Sequence, residues 1–181
     1  MDKLILKPGD IFSTKNPMAL GRLIGLGEAL PWRDGHKSEY GHSGIITDEL
    51  GNTVEELWTL CANNLSSYEG DKIIIGRWKN MTLDSWNDGM TVACADLYQP
   101  YPFWRLGLML FPRVAKIIST GKWAVCSERT FQFLFAAGWK GTDKIKTWQD
   151  NDPQALADLI HAGGEFELIY EGIWSKELIG R

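Results

Sequence analysis

The sequence has few cysteines and no excess of basic residues. Its three cysteines, Cys61, Cys94 and Cys126, are scattered over 181 residues, without the density of a disulfide scaffold or the paired spacing of a zinc site. This usage predicts reduced thiols. Lysine and arginine total 19 against 23 acidic residues, a formal net charge of -4, and no basic cluster is present. Because a nucleic-acid-binding surface needs such a cluster, we expect no nucleic-acid partner.

Long apolar runs are absent too. The first ten residues contain three consecutive apolar residues before a lysine and a proline, which is too few for a secretory signal peptide. The longest apolar stretch, 106–111, is bracketed by Arg105 and Pro112 and is far shorter than the roughly 20 residues that span a bilayer. We therefore expect a cytoplasmic protein without a transmembrane helix, with carriage in a virion or release by lysis as the other routes.

The length and composition are those of one folded domain, which we assign to residues 1–181. Hydrophobic residues make up 44% and charged residues 23% of the chain, and no repeat is present. Alternating apolar patterns predict strands at 11–12, 41–47, 53–58, 72–78 and 165–170. Helical spacing and capping signals predict helices over 17–30, 83–97, 103–118, 126–137 and 153–162. These elements predict an α+β domain in which a small antiparallel sheet of four or five strands packs with helices.

Cys126 stands where a predicted helix begins, in the segment Val-Cys-Ser-Glu at 125–128. The first turn of a helix stabilises a thiolate through its unpaired backbone N–H groups and the helix dipole. The backbone amide of Cys126 is also the best candidate to donate to an oxyanion formed at a carbonyl. The alternative is a buried packing thiol, the role that we expect for Cys94. Cys61 carries no functional signal.

His42 is the candidate base. It lies between glycines on a predicted strand, in Gly-His-Ser-Gly-Ile-Ile at 41–46, so another group can approach the imidazole closely. The alternative is a hydrogen-bonded strand histidine without chemistry. His36 and His161 lie in a polar loop and at a helix end, where we expect solvated surface roles.

The strands predicted at 41–47 and 53–58 are expected to pair as an antiparallel hairpin. Glu55 and Glu56, in its second strand, offer a carboxylate to orient the imidazole. Antiparallel pairing joins residues whose numbers have a constant sum, and alternate residues share a face. An even sum places Glu56 on the face of His42, and an odd sum places Glu55 there. The composition of the turn at 48–52 does not determine the register, so the residues alone leave both carboxylates open.

Several segments together resemble a known family, the permuted papain-like amidases of the YiiX and YaeF type, within the circularly permuted branch of the NlpC-type cysteine peptidases. The segment 8–12 is similar to the opening Gly-Asp-Ile strand of that family, and 41–46 to its His-x-Gly-Ile motif. The segment 54–57 resembles an aliphatic-x-Glu-Ala pattern with leucine replacing the alanine. Cys-Ser-Glu at 126–128 resembles the nucleophile helix, and Asp-Pro at 152–153 the closing segment.

The resemblance implies a circularly permuted papain-like fold with Cys126 as nucleophile, His42 as base and Glu56, favoured over Glu55 by the motif, as the orienting carboxylate. It implies an amidase or peptidase, acting through a thioester intermediate without metal or cofactor, on a peptide, amide or lipid acyl group; peptidoglycan peptides are one such substrate.

Two alternatives remain beside this reading. The first is a lipid-directed esterase, thioesterase or acyltransferase, because the apolar stretch 103–111 suits an acyl-chain pocket or a peripheral membrane contact as well as a buried helix. The second is a non-catalytic binding or structural module of the same fold.

Overall fold

One antiparallel sheet of six strands organises the part of the chain that the structure describes. The structure is a computed structural model, and it describes residues 3–15, 39–57, 59–95, 97–98, 125–149 and 151–179. The strands are β1 (Ile11–Thr14), β2 (His42–Ile46), β3 (Asn52–Glu56), β4 (Leu60–Asn64), β5 (Lys72–Trp78) and β6 (Phe166–Ile173). Their order across the sheet is β4-β3-β2-β1-β5-β6. The hairpin β2–β3 therefore lies inside the sheet, with β4 on one side and β1 on the other.

Three α-helices accompany the sheet within the described residues. They are α1 (Leu83–Ala93), α2 (Cys126–Ala136) and α3 (Pro153–Ala162), and short 3-10 helices cover Leu65–Tyr68 and Lys176–Leu178. A capping box between Thr82 and Ser85 starts α1. The Asp152 side chain accepts from the backbone N–H of Ala155 at 2.7 Å to start α3. These caps satisfy amides that a helix terminus leaves without partners, and they confirm the sequence signals for both helices.

The two faces of the sheet carry two separate hydrophobic cores. The helix-side core joins the sheet to α2 and α3 and includes Ile11, Ile45, Ile74, Phe131, Leu134, Leu156 and Ile160. The turn-side core lies on the opposite face and consists of Leu6, Phe12, Ile46, Leu65, Tyr68, Ile73, Ile75 and Trp174. Neighbouring residues of β5 contribute to opposite cores, because successive side chains of a strand alternate between faces. This burial on both sides explains the unbroken isoleucine run at 73–75.

The α+β prediction is confirmed, with differences in detail. Residues 60–64, for which no strand was predicted, form β4, so the described sheet has six strands and not four or five. Strand β4 lacks an apolar pattern because, among the described strands, it lies at the sheet edge beside β3 and exposes part of its surface. The helix predicted over 83–97 ends at Ala93, whereas the helix predicted over 126–137 runs from Cys126 to Ala136.

Several predictions fall on residues outside the described part of the chain. These are the helices over 17–30 and 103–118, His36, and the apolar stretch 103–111. Within the described ranges, no helix has the length and apolar character needed to cross a bilayer. The assignment of residues 1–181 to a single domain stays a prediction.

Candidate active site

The register of the β2–β3 hairpin decides which glutamate faces the histidine. Gly44 pairs with Glu55, and Ile46 with Thr53, so paired residue numbers have an odd sum. The turn fixes this register: the Thr47 N–H donates to the Asn52 carbonyl at 2.7 Å, and Asp48 Oδ1 accepts from the backbone N–H of Asn52 at 3.0 Å. Glu55 consequently lies on the same face as His42.

The expected contact between Glu56 and the imidazole is wrong. An even register was required for it, and the turn imposes the odd one, which sends Glu56 to the helix side of β3. There Glu56 is 4% exposed, and its Oε2 lies 3.4 Å from Nε of Arg129 in α2. Arg129 Nη1 also donates to Gln132 Oε1 at 3.0 Å. Glu56 therefore joins the sheet to α2 through a buried ion pair.

His42 and Glu55 form a buried hydrogen-bonded pair. Nε2 of His42 lies 2.9 Å from Oε2 of Glu55, and each residue is 1% exposed. Two hydroxyl groups also donate to the carboxylate: Thr53 Oγ1 to Oε1 and the Tyr68 O–H to Oε2. The carboxylate thus has three donor partners inside the protein, which compensates for the loss of water around a buried charge.

Aromatic side chains and a glycine shape the space around this pair. The rings of Phe12 and Tyr68 lie 6.2 and 6.0 Å from the imidazole centroid, and the Tyr68 ring is stacked on it. A Cβ atom on Gly44 would stand 2.7 Å from Phe12 Cε1 and 2.9 Å from Glu55 Cγ. Gly44 is therefore the residue that leaves room for the Glu55 side chain beside the histidine, as the glycines flanking His42 predicted.

Cys126 is the first residue of α2, 5% exposed, and its thiol lies close enough to His42 to raise the pKa of the imidazole. Because Nε2 of the imidazole faces Glu55, Nδ1 is the nitrogen left for the thiol. Val125 precedes the helix in extended conformation, and its N–H donates to Glu128 Oε2 at 3.1 Å. The amide of Cys126 belongs to the first turn, where backbone N–H groups have no partner within the helix.

The three side chains are electrostatically coupled. Burial by itself lowers the pKa of His42, but the hydrogen bonds with Cys126 and Glu55 outweigh burial and raise that pKa to about 10. Burial by itself raises the pKa of Glu55, but the bonds from His42, Thr53 and Tyr68 outweigh it and lower the pKa below the usual range. Near neutral pH the arrangement therefore favours an imidazolium next to an ionised carboxylate.

Cys94 and the described surface histidine are not members of this group, and Cys61 adjoins it as the cross-strand partner of Glu55. Cys61 and Cys94 are free and half-buried, and burial raises the pKa of each thiol. Cys94 is thus more exposed than the packing role predicted for it. The side chain of His161 is 43% exposed and pairs with Glu171 at 2.9 Å, as expected at a helix end.

Sequence reasoning missed Thr53 and Tyr68. Thr53 precedes Glu55 by two residues in the same strand, so the period of a strand would have placed it on the same face once Glu55 was chosen. Tyr68 ends a 3-10 helix in a segment for which neither a helix nor a strand was predicted. No local pattern marks Tyr68, because only the tertiary fold brings it to Glu55.

No protein-family model and no curated protein matches this sequence. Among solved structures, the chain is similar to the metalloprotein YiiX from Escherichia coli O157:H7, a DUF1105 protein, with a TM-score of 0.52. The match covers 96% of this chain and 91% of that one, at 16% sequence identity. The similarity shows a YiiX-like α+β fold. Among the described residues, no group of three or more histidine, cysteine and acidic side chains is arranged to hold a metal ion.

Proposed function

We propose that this protein is a cysteine hydrolase of the amidase or peptidase type, built on a circularly permuted papain-like fold. Cys126 is the nucleophile, His42 the base and Glu55 the orienting carboxylate. One observation carries the proposal: a thiol at the start of a helix interacts with an imidazole whose Nε2 lies 2.9 Å from a buried carboxylate. Nucleophile, base and orienting group in contact are what thiol catalysis requires.

In the acylation half-reaction, Cys126 reacts as the thiolate, because its proton is held on Nδ1 of the His42 imidazolium, and the sulfur attacks the substrate carbonyl carbon. The carbonyl oxygen becomes an oxyanion, to which the backbone N–H of Cys126 donates. The tetrahedral intermediate collapses when the carbon–nitrogen bond breaks. His42 returns its proton to the leaving amine, and the acyl group remains on sulfur as a thioester.

In the deacylation half-reaction, His42 accepts a proton from a water molecule, whose oxygen attacks the thioester carbon. The carbon–sulfur bond then breaks, the carboxylic acid leaves, and the proton stays on His42 beside the Cys126 thiolate. Throughout, the Glu55 carboxylate holds Nε2–H and stabilises the positive charge that the ring carries. The cycle consumes one water and regenerates the thiolate and the imidazolium.

A metal ion, which the name of the structural neighbour includes, does not fit the described residues of this chain. Catalytic zinc sites take three protein ligands, and Nε2 of His42 is already engaged by Glu55. The thiol of Cys126 and Nδ1 of His42 then provide two donors. We therefore derive no catalytic step through a metal.

Selective alkylation of Cys126 tests the proposal. The protein is incubated with limiting iodoacetamide near neutral pH, and the modified cysteine is identified by mass spectrometry. Cys61 and Cys94 are internal controls, because both are more exposed than Cys126 but burial raises the pKa of each thiol. We expect Cys126 to react fastest of the three thiols. Its reaction should be at least tenfold slower in His42→Ala. Equal, slow labelling of the three thiols would contradict the proposal and favour a non-catalytic module.

The substrate class is tested with a panel. We expect turnover of small peptide amides, peptidoglycan-type peptides included, that does not change when liposomes are added. Turnover of acyl-lipid esters in place of peptides would instead support the lipid-directed alternative, whose sequence basis, residues 103–111, lies outside the described part of the chain. Cys126→Ala is the control for both arms.

The cytoplasmic location also stays a prediction.

A further inference from the structure

Tyr68 approaches the Glu55 carboxylate from the 3-10 helix that follows β4, outside the two strands of the β2–β3 hairpin. It ends the 3-10 helix Leu65–Tyr68, whose start is fixed by the Asn64 side chain accepting from the Ser66 N–H at 2.9 Å. The Tyr68 carbonyl accepts from the Asp71 N–H at 2.9 Å. The residue is 1% exposed. Its hydroxyl is therefore positioned by the segment that follows β4, which the Leu65 N–H anchors to the Gly51 carbonyl of the hairpin turn at 2.9 Å.

The hydrogen-bond donors and acceptors at Glu55 Oε2 determine where the protons lie. This oxygen accepts from the Tyr68 O–H and lies 2.9 Å from Nε2 of His42. Burial, reinforced by the neighbouring Glu55 charge, raises the pKa of Tyr68, so the phenol keeps its proton. A carboxylate only accepts, so Nε2 must carry a proton as well. Nδ1 is then the nitrogen that can take the proton of Cys126.

We propose that Tyr68 is a positioning residue: its hydroxyl fixes the Glu55 carboxylate in the orientation that keeps the proton of His42 on Nε2 and leaves Nδ1 as the base. This inference rests on the proposed function, in which His42 serves Cys126. The ring of Tyr68 is also stacked on the imidazole, 6.0 Å between centroids, and this contact limits rotation of His42. Tyr68 thus acts on the base through Glu55 and does not touch the substrate.

The test compares Tyr68→Phe with Tyr40→Phe. Tyr40 is the matched control because it is also 1% exposed and its O–H also donates to a carboxylate, Glu171 Oε1, at 3.0 Å, while its ring lies in the helix-side core. Alkylation of Cys126 is measured across pH. We expect Tyr68→Phe to slow alkylation at neutral pH about tenfold. The acidic limb of the profile of alkylation rate against pH should move upward by about one pH unit, because Glu55 loses a donor to its charged form. Tyr40→Phe leaves both unchanged.

A double-mutant cycle separates positioning from general damage to the fold. In the Glu55→Gln background, Tyr68→Phe should slow alkylation no further, because its effect passes through the carboxylate. A loss of the same size in both backgrounds would overturn the proposal, and so would a wild-type rate and acidic limb in Tyr68→Phe.

A measurement on the unmutated site keeps the proposal testable if Tyr68→Phe does not fold. The Tyr68 hydroxyl proton should give a slowly exchanging, downfield NMR resonance with a cross-peak to the Nε2–H of His42, and Glu55→Gln should shift it. A rapidly exchanging hydroxyl, or one that Glu55→Gln does not shift, would overturn the proposal. These resonances do not depend on turnover, so a Cys126 that fails to react selectively would contradict the proposed function alone.

Discussion

Glu55 and Glu56 are neighbours on one strand, both are buried, and they have opposite surroundings. Glu55 faces the turn side and meets an imidazole and two hydroxyl groups. Glu56 faces the helix side and meets the permanently charged Arg129. The partners of Glu55 can exchange or share protons, whereas an arginine stays protonated. The comparison teaches that the chemistry of a buried carboxylate follows from the face of the sheet that it occupies.

The largest expected effect is on stability, at Glu56. Glu56→Ala removes a carboxylate from beside a buried guanidinium, a change that typically costs about 3–5 kcal/mol. We expect a loss of this size in the free energy of unfolding, measured by urea denaturation. Glu55→Gln, which keeps the shape and leaves beside it an imidazolium that can lose its proton, should cost less. A smaller loss for Glu56→Ala than for Glu55→Gln would reverse the comparison.

The next effect is on activity, at Glu55. Glu55→Gln removes the charge that stabilises the His42 imidazolium and should lower kcat for peptide-amide hydrolysis about a hundredfold, with little change in KM. Glu56→Gln is the matched control, since it alters the adjacent residue in the same way on the other face. It should keep kcat within about threefold, at temperatures where it is folded. Equal losses in both variants would show that the faces are not functionally separate.

The smallest of the three effects is on the titration of His42, followed by NMR. The pKa of about 10 in the wild type should fall by about one unit or more in Glu55→Gln and stay in place in Glu56→Gln. Because folding raises this pKa above the ordinary 6.5, the stability that it supplies is fully present below pH 6.5. It is lost as pH rises through 10. A wild-type pKa near 6.5 would contradict the coupling itself.

The site was predictable from the sequence where the signal was local. The helix beginning at Cys126 followed from apolar spacing, and the strand position of His42 from its β-prone run. The identity of the carboxylate was not predictable from the sequence, because Glu55 and Glu56 are the same residue type and both are buried. One hydrogen-bonded turn at 47–52 chooses between them, and turn composition alone allows either register.

The edge of the sheet was harder to predict than its centre. Ile73, Ile74 and Ile75 are buried on alternating faces. This run of isoleucines predicts β5 by its composition. Strand β4 is polar and partly exposed, so its extended conformation depends on pairing with β3 and leaves little trace in the pattern of residues.

The sequence by itself determined which residue types can do chemistry and where the local elements that carry them begin: a cysteine at a helix start, a histidine on a strand, and a pair of glutamates on the next strand. The tertiary structure decided which of these residues meet. A shift of one residue in register moves every side chain of a strand to the other face, so the turn gave Glu55 to His42 and Glu56 to Arg129. It also brought Tyr68 to Glu55 from a segment with no local signal.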